Sequence, residues 1–208
     1  MLPAAHLLAG CGGSTTGSLD PGPGLEAGDH EMVLRHGGRD RYALVRVPPA
    51  ATSGDPLPLV LALHGGGGNP EQFKEDAGLD AVADREGFII LYPAGTGVLP
   101  RSLLTWNAGT DCCGYALEQD VDDVGFLLSL IDELESTTEL DLDRVYVTGH
   151  SNGGIMAYRF AAESAYSVAA IVPVAGAMML DEFSPDRAVP VLHIHSVDDG
   201  RALYDGGL

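Results

Sequence analysis

A chain of 208 residues is long enough for one domain with a core of its own, and its 28 glycines and 13 prolines point to many tight turns. With 30 acidic against 11 basic residues the formal charge is −19, which repels phosphate backbones and argues against nucleic acid as a partner. No stretch approaches the ~20 apolar residues that a membrane-spanning helix needs.

In chain order, residues 1–30 read as a signal remnant followed by a flexible linker. Leu2, Leu7 and Leu8 lie in a short apolar stretch that ends Leu8-Ala9-Gly10-Cys11. This resembles the lipobox of bacterial lipoproteins, with Cys11 as the lipidated residue, although no basic n-region precedes Leu2. The Gly- and Ser-rich run after Cys11 suits a tether. The expectation is an extracellular or cell-envelope lipoprotein.

Residues 31–208 alternate strand and helix patterns, which predicts an α/β fold with a mostly parallel sheet covered on both faces. Tyr42 to Val47 reads as a strand closed by Pro48-Pro49, and Leu57 to Leu63 as a strand buried on both faces. Asn69 can cap a helix with Pro70 in its first turn; that helical stretch runs towards Glu86, broken near Gly78 and closed by Gly87. Phe88 to Tyr92 is the next strand, followed by a long loop over residues 94–119, of the kind that is usually functional. Asp120, Asp122 and Asp123 sit where a helix should start, and Val124, Leu127, Leu128, Ile131 and Leu134 recur at helical spacing. Arg144 to Thr148, Val168 to Val174 and Val189 to His195 read as strands, with a helix carrying Ile155, Met156 and Phe160 after the first of them.

The chemistry concentrates at three strand ends. Gly149-His150-Ser151-Asn152-Gly153 lies between a strand and a helix, where a nucleophilic serine projects from a sharp turn and the two glycines relieve the crowding. His64-Gly65-Gly66-Gly67-Gly68-Asn69 follows a buried strand and suits an oxyanion hole, since bare backbone N–H groups can approach a reacting carbonyl there. The expected donors are Gly66, Gly67 and Asn152. A phosphate loop is excluded, because no Lys-Ser or Lys-Thr pair follows the glycines. His64 itself is expected to shape the loop, not to carry a proton. At the end of the last strand, Asp198 and Asp199 are both placed to be the acid that follows the nucleophile in chain order.

The combination His64-Gly65-Gly66, Trp106-Asn107-Ala108-Gly109, Val121-Asp122-Asp123-Val124, Gly149-His150-Ser151-Asn152-Gly153-Gly154 and His195-x-x-x-Asp199 resembles the polyhydroxybutyrate depolymerase and feruloyl/acetyl-xylan esterase group of secreted α/β-hydrolases. The resemblance covers roughly residues 30 to 205. It implies the three-layer α/β-hydrolase fold, a polyester or plant cell-wall ester as substrate, no cofactor or metal, Ser151 as nucleophile and Asp199 as acid. This chain has Ser196-Val197 where family members carry Gly-Thr.

The triad order is Ser, Asp, His, yet no histidine follows Asp199. The expectation is a C-terminally incomplete domain, lacking a strand, the His loop and a helix, and close to inactive alone. Cys112 and Cys113 can pair with each other or with a cysteine elsewhere, while adjacent residues lack the spacing of a zinc site. Trp106 and Tyr115 share the long loop and are candidate walls of the ester pocket, with plain loop packing as the other reading. Two further functions compete with ester hydrolysis: a serine peptidase of the same fold and a non-catalytic lipoprotein binding module.

Overall fold

A computed structural model describes residues 25–206 apart from 111, 165 and 167, so Cys11 and the expected signal lie outside the described residues. Among the described residues, six strands and five α-helices form one mixed sheet and its cover: β1 (Gly28–His36), β2 (Arg39–Val47), β3 (Leu57–Leu63), α1 (Pro70–Ala77), α2 (Asp80–Glu86), β4 (Ile89–Pro93), α3 (Tyr115–Glu118), α4 (Asp123–Thr137), β5 (Leu140–His150), α5 (Asn152–Glu163) and β6 (Val168–Val174). The sheet order is β1-β2-β4-β3-β5-β6. The first two pairings, β1 with β2 and β2 with β4, are antiparallel; β3 with β4, β3 with β5 and β5 with β6 are parallel.

Three layers result. Phe126, Leu127, Leu130 and Leu134 of α4 and Ile155, Met156 and Phe160 of α5 pack with Leu59, Leu61, Leu63 and Leu91 on one face. Phe73, Leu79 and Ala83, from α1 and α2, cover Ala62, Ile90 and Tyr92 on the other. The helix boundaries follow local chemistry. Asn69 Oδ1 accepts the Gln72 N–H at 2.8 Å, and Gly78 and Gly87 take left-handed φ of 59° and 75° that end α1 and α2. Asp122 Oδ1 caps α4 through the Gly125 N–H at 2.8 Å.

Several elements differ from the sequence expectation, among them the short helix α3 inside the loop expected over residues 94–119 and β2, which starts three residues early at Arg39. β1 begins at Gly28, inside the segment expected as linker, because Met32 and Leu34 pack against the core while the alternate residues face out. β5 starts four residues early, at Leu140, with an irregularity between Leu57 and Leu59 in its pairing with β3. Residues 189–195 do not form a full strand. They join β6 only through isolated parallel bridges, Ile171 to Val191 and Val174 to Ile194. Leu192 is 61% exposed there, and no strand pairs the outer side of this segment among the described residues.

Candidate active site

Ser151 sits between β5 and α5 with φ 50° and ψ −119°, a conformation that costs a non-glycine residue of order 1–3 kcal/mol and persists only where the surroundings impose it. The surroundings do impose it. A Cβ on Gly149 would lie 2.4 Å from the Gly153 carbonyl oxygen, and one on Gly153 would lie 2.3 Å from that of Leu63. β5, the turn and α5 therefore pack backbone to backbone, and the Ser151 N–H is fixed by the Val174 carbonyl at 2.8 Å. The N-terminus of α5 stands directly behind the serine and favours negative charge that develops there.

Of the expected oxyanion donors, Gly66 and Asn152 stand next to each other. A Cβ on Gly66 would meet Asn152 Cβ at 3.4 Å, so the two backbones lie side by side. Among the described residues, no hydrogen-bond acceptor faces either N–H. Gly67 is a correction: its N–H donates to the Leu104 carbonyl at 2.7 Å, which ties the glycine loop to the long loop and leaves no proton for a substrate. His64 shapes this loop as expected. It is buried, its Nε2 accepts the Gly95 N–H at 3.0 Å and its Nδ1 donates to the Gly65 carbonyl at 2.8 Å. Burial drives its pKa down to about 4, so the ring is neutral.

For Trp106 and Tyr115 the structure agrees with loop packing, the other of the two readings. Trp106 is fully buried and is part of the scaffold. Tyr115 opens α3 and is not among the residues lining the cavity at Ser151. That cavity, about 540 Å³, is lined by Ile155, Ala177, Met179 and Leu180 with Cys112 and Leu203, while Asp181 and Arg201 add charge. The apolar run Ala177-Met178-Met179-Leu180 was its only trace in the sequence, without helix or strand periodicity to mark it. Cys112 and Cys113 are bonded to each other beside the cavity.

Asp199 is the better placed of the two acids. Its Oδ1 accepts the N–H groups of Arg201 at 2.8 Å and Ala202 at 2.9 Å, and these hydrogen bonds, that of Ala202 first, hold its pKa below the usual carboxylate value. Asp198 is exposed and accepts none of these hydrogen bonds. His195 Nε2 lies 3.5 Å from Asp199 Oδ2 and donates to the Ala202 carbonyl at 2.6 Å. His195 Nδ1 then accepts from His193, and His193 Nδ1 from the Tyr158 hydroxyl, each at 3.0 Å. His150 lines a separate hollow with Gly65, Gln72 and Asp76. Among the described residues, no imidazole is hydrogen-bonded to Ser151. No group of three or more His, Cys, Asp or Glu side chains among them could hold a metal ion.

Comparison with known proteins decides the family. The family described as esterase PHB depolymerase matches residues 41–208. The chain belongs to this family. Within the esterase PHB depolymerase family it is 35% identical over 172 residues to the putative esterase NocK of Nocardia uniformis subsp. tsuyamanensis, covering 81% of this chain and 48% of that one. It is 30% identical over 148 residues to the bifunctional acetylxylan esterase/xylanase XynS20E of Neocallimastix patriciarum, covering 71% of this chain and 20% of that one. The chain thus spans half or less of the length of these relatives. Among solved structures, the acetyl xylan esterase from Aspergillus awamori superposes with a TM-score of 0.58 at 20% identity, covering 72% of this chain and 53% of that one. That likeness shows the α/β-hydrolase fold.

Proposed function

We propose that this chain carries the nucleophile side of a carboxylic ester hydrolase that works by acyl transfer. The observation that carries the reading is Ser151, held at positive φ on a turn whose glycines admit no side chain. Its Oγ attacks the ester carbonyl as the triad histidine takes its proton, and the N–H groups of Gly66 and Asn152 receive the developing oxyanion; the oxyanion collapses to acyl-Ser151 as the alcohol leaves with that proton, and water hydrolyses the acyl-serine to release the acid and restore the serine. Asp199 is the acid that orients the histidine of the triad, the one role that the described residues leave open.

The family description, PHB depolymerase, supports a polyester as substrate, and the relatives named acetylxylan esterase and feruloyl esterase support a plant cell-wall ester. In the cavity beside Ser151, the wall made by Ile155, Ala177, Met179 and Leu180 suits the acyl part of such an ester. Export, with Cys11 as a lipid anchor, belongs to the same reading, since such substrates lie outside the cell.

The test is covalent labelling. A fluorophosphonate at high concentration should modify the chain at Ser151, located by peptide mass spectrometry, and Ser151→Ala should remove the adduct. An adduct that survives this substitution would mean that another residue is the nucleophile. Hydrolysis of p-nitrophenyl esters without cleavage of the matching p-nitroanilides separates an esterase from a peptidase.

A further inference from the structure

An oxyanion hole works only if its two donors stand at a fixed separation, each about 2.7–3.1 Å from one oxygen. Here the donors belong to different elements: Gly66 follows β3 and Asn152 opens α5. Something must set the distance between them.

The long loop between β4 and α4 supplies it. The Asn152 side chain meets both backbone groups of Trp106: Oδ1 accepts the Trp106 N–H at 2.7 Å, and Nδ2 donates to the Trp106 carbonyl at 3.1 Å. The same Trp106 reaches the glycine loop, since its Nε1–H donates to the His64 carbonyl at 2.9 Å and its ring lies against His64 with centroids 5.0 Å apart. All three residues are buried. The next residue anchors the clasp from below. The Asn107 N–H donates to Asp123 Oδ2 at 2.7 Å, and Arg159 holds the Asn107 carbonyl at 2.6 Å.

We propose that the Asn152 side chain and Trp106 are positioning residues that clasp the nucleophile turn to the glycine loop and so set the spacing of the oxyanion donors. This deepens the reading of Ser151 and rests on it. Of the side chains that can follow the nucleophile, Asn alone among the short ones presents one acceptor and one donor at the reach that a backbone N–H and C=O require. An aspartate would turn an oxygen toward the Trp106 carbonyl.

Trp106 is the only tryptophan, so its indole N–H is a single resonance that reports the clasp independently of activity. The experiment compares the parent chain with Asn152→Ala, Asn152→Asp and Trp106→Phe, reading the melting temperature and the fluorophosphonate reaction at Ser151 resolved into its limiting rate and half-saturation in all of them, and the indole resonance in the parent and the two Asn152 variants. Among the described residues no base is hydrogen-bonded to Ser151, and reactivity at such a serine comes from the oxyanion hole and binding, so it is sensitive to this geometry.

Loss of one donor costs roughly 10²–10³ in rate, so a misplaced donor in Asn152→Ala should lower the limiting rate ~10–100-fold with half-saturation unchanged. Trp106→Phe should show a smaller loss of the same kind. In Asn152→Asp the limiting rate and the indole shift, each relative to the parent, should recover as pH falls through the titration of the new carboxyl, because a protonated carboxyl can donate to the Trp106 carbonyl. Variants that melt earlier yet keep the parent's limiting rate, or that change only half-saturation, would overturn the proposal. A parent chain that takes no label at Ser151 would overturn the nucleophile reading, and the proposal with it.

Discussion

At the scale of single residues, His64 is a histidine whose proton is spoken for. Its Nε2 accepts from Gly95, so Nδ1 carries the hydrogen that goes to Gly65, and burial depresses its pKa to about 4. A depressed histidine stabilises the fold fully above the unfolded value of about 6.5, and that contribution is lost as pH falls towards 4, because the unfolded chain binds the extra proton first. We therefore expect nitrogen NMR to show the His64 ring as the neutral Nδ1–H tautomer from pH 8 down to about 5.5. Stability should decline between about pH 6.5 and 4, with His64 contributing on the order of 3 kcal/mol at most. A ring that titrates near 6.5 would refute this assignment. Much of the site was legible at this scale, because glycine spacing and the strand–turn–helix context report backbone crowding. Trp106 was not: an aromatic residue in a long loop looks the same whether it faces a ligand or the core. Gly67 was likewise indistinguishable from Gly66 until the Leu104 carbonyl placed its N–H.

At the scale of elements, one buried ion pair joins β2, α4 and the long loop. Arg41 Nη2 donates to Asp123 Oδ1 at 2.6 Å and to the Ala94 carbonyl at 2.9 Å, and its guanidinium lies 3.7 Å from the centre of the Phe126 ring. Among the described residues, Arg41 Nε and Nη1 are buried without a hydrogen-bond partner. Burial pushes the Asp123 carboxyl up and the Arg41 guanidinium down, each opposed by the other's charge. Removing one partner of such a pair leaves a buried uncompensated charge, so Asp123→Ala should cost roughly 3–5 kcal/mol, read by urea denaturation, whereas the double change Arg41→Met with Asp123→Leu should cost much less. A loss below about 1 kcal/mol for the single change would show that water reaches Arg41. The sequence placed Asp123 as a charge at a helix start and as part of a family motif, without its partner, which lies 82 positions away, beyond any local pattern. Local patterns did carry β3, α1, α2, α4 and α5, whose caps and apolar runs are self-contained. β1 was hidden because its Gly37-Gly38 turn and alternating polar residues resemble a linker until β2 pairs with it. Residues 189–195 misled in the opposite direction. The apolar alternation promised a ladder, but Pro190 has no N–H to donate and, among the described residues, one side finds no strand to pair with.

At the scale of the whole molecule, the two edges of the sheet are unlike. The β1 edge carries charge: Glu31 pairs with Arg101, and Arg35 pairs with Asp40 across the hairpin. Charge of this kind blunts edge-to-edge association. The opposite edge exposes Leu192, Val197 and Tyr204 at 61%, 72% and 57%, with backbone groups of residues 189–195 facing outward. Apolar surface on an open edge drives association, and the formal charge of −19 opposes it. Salt decides between them, because the screening length falls from ~30 Å at 0.01 M to ~3 Å at 1 M, which removes the repulsion and leaves the apolar contact intact. We expect light scattering to show the chain largely monomeric at low salt and associating as salt rises, with Leu192→Lys suppressing the effect and a charge-neutral change on β1, Val33→Thr, leaving it in place. Association that weakens with added salt would mean that ion pairs, not the exposed edge, hold the copies together.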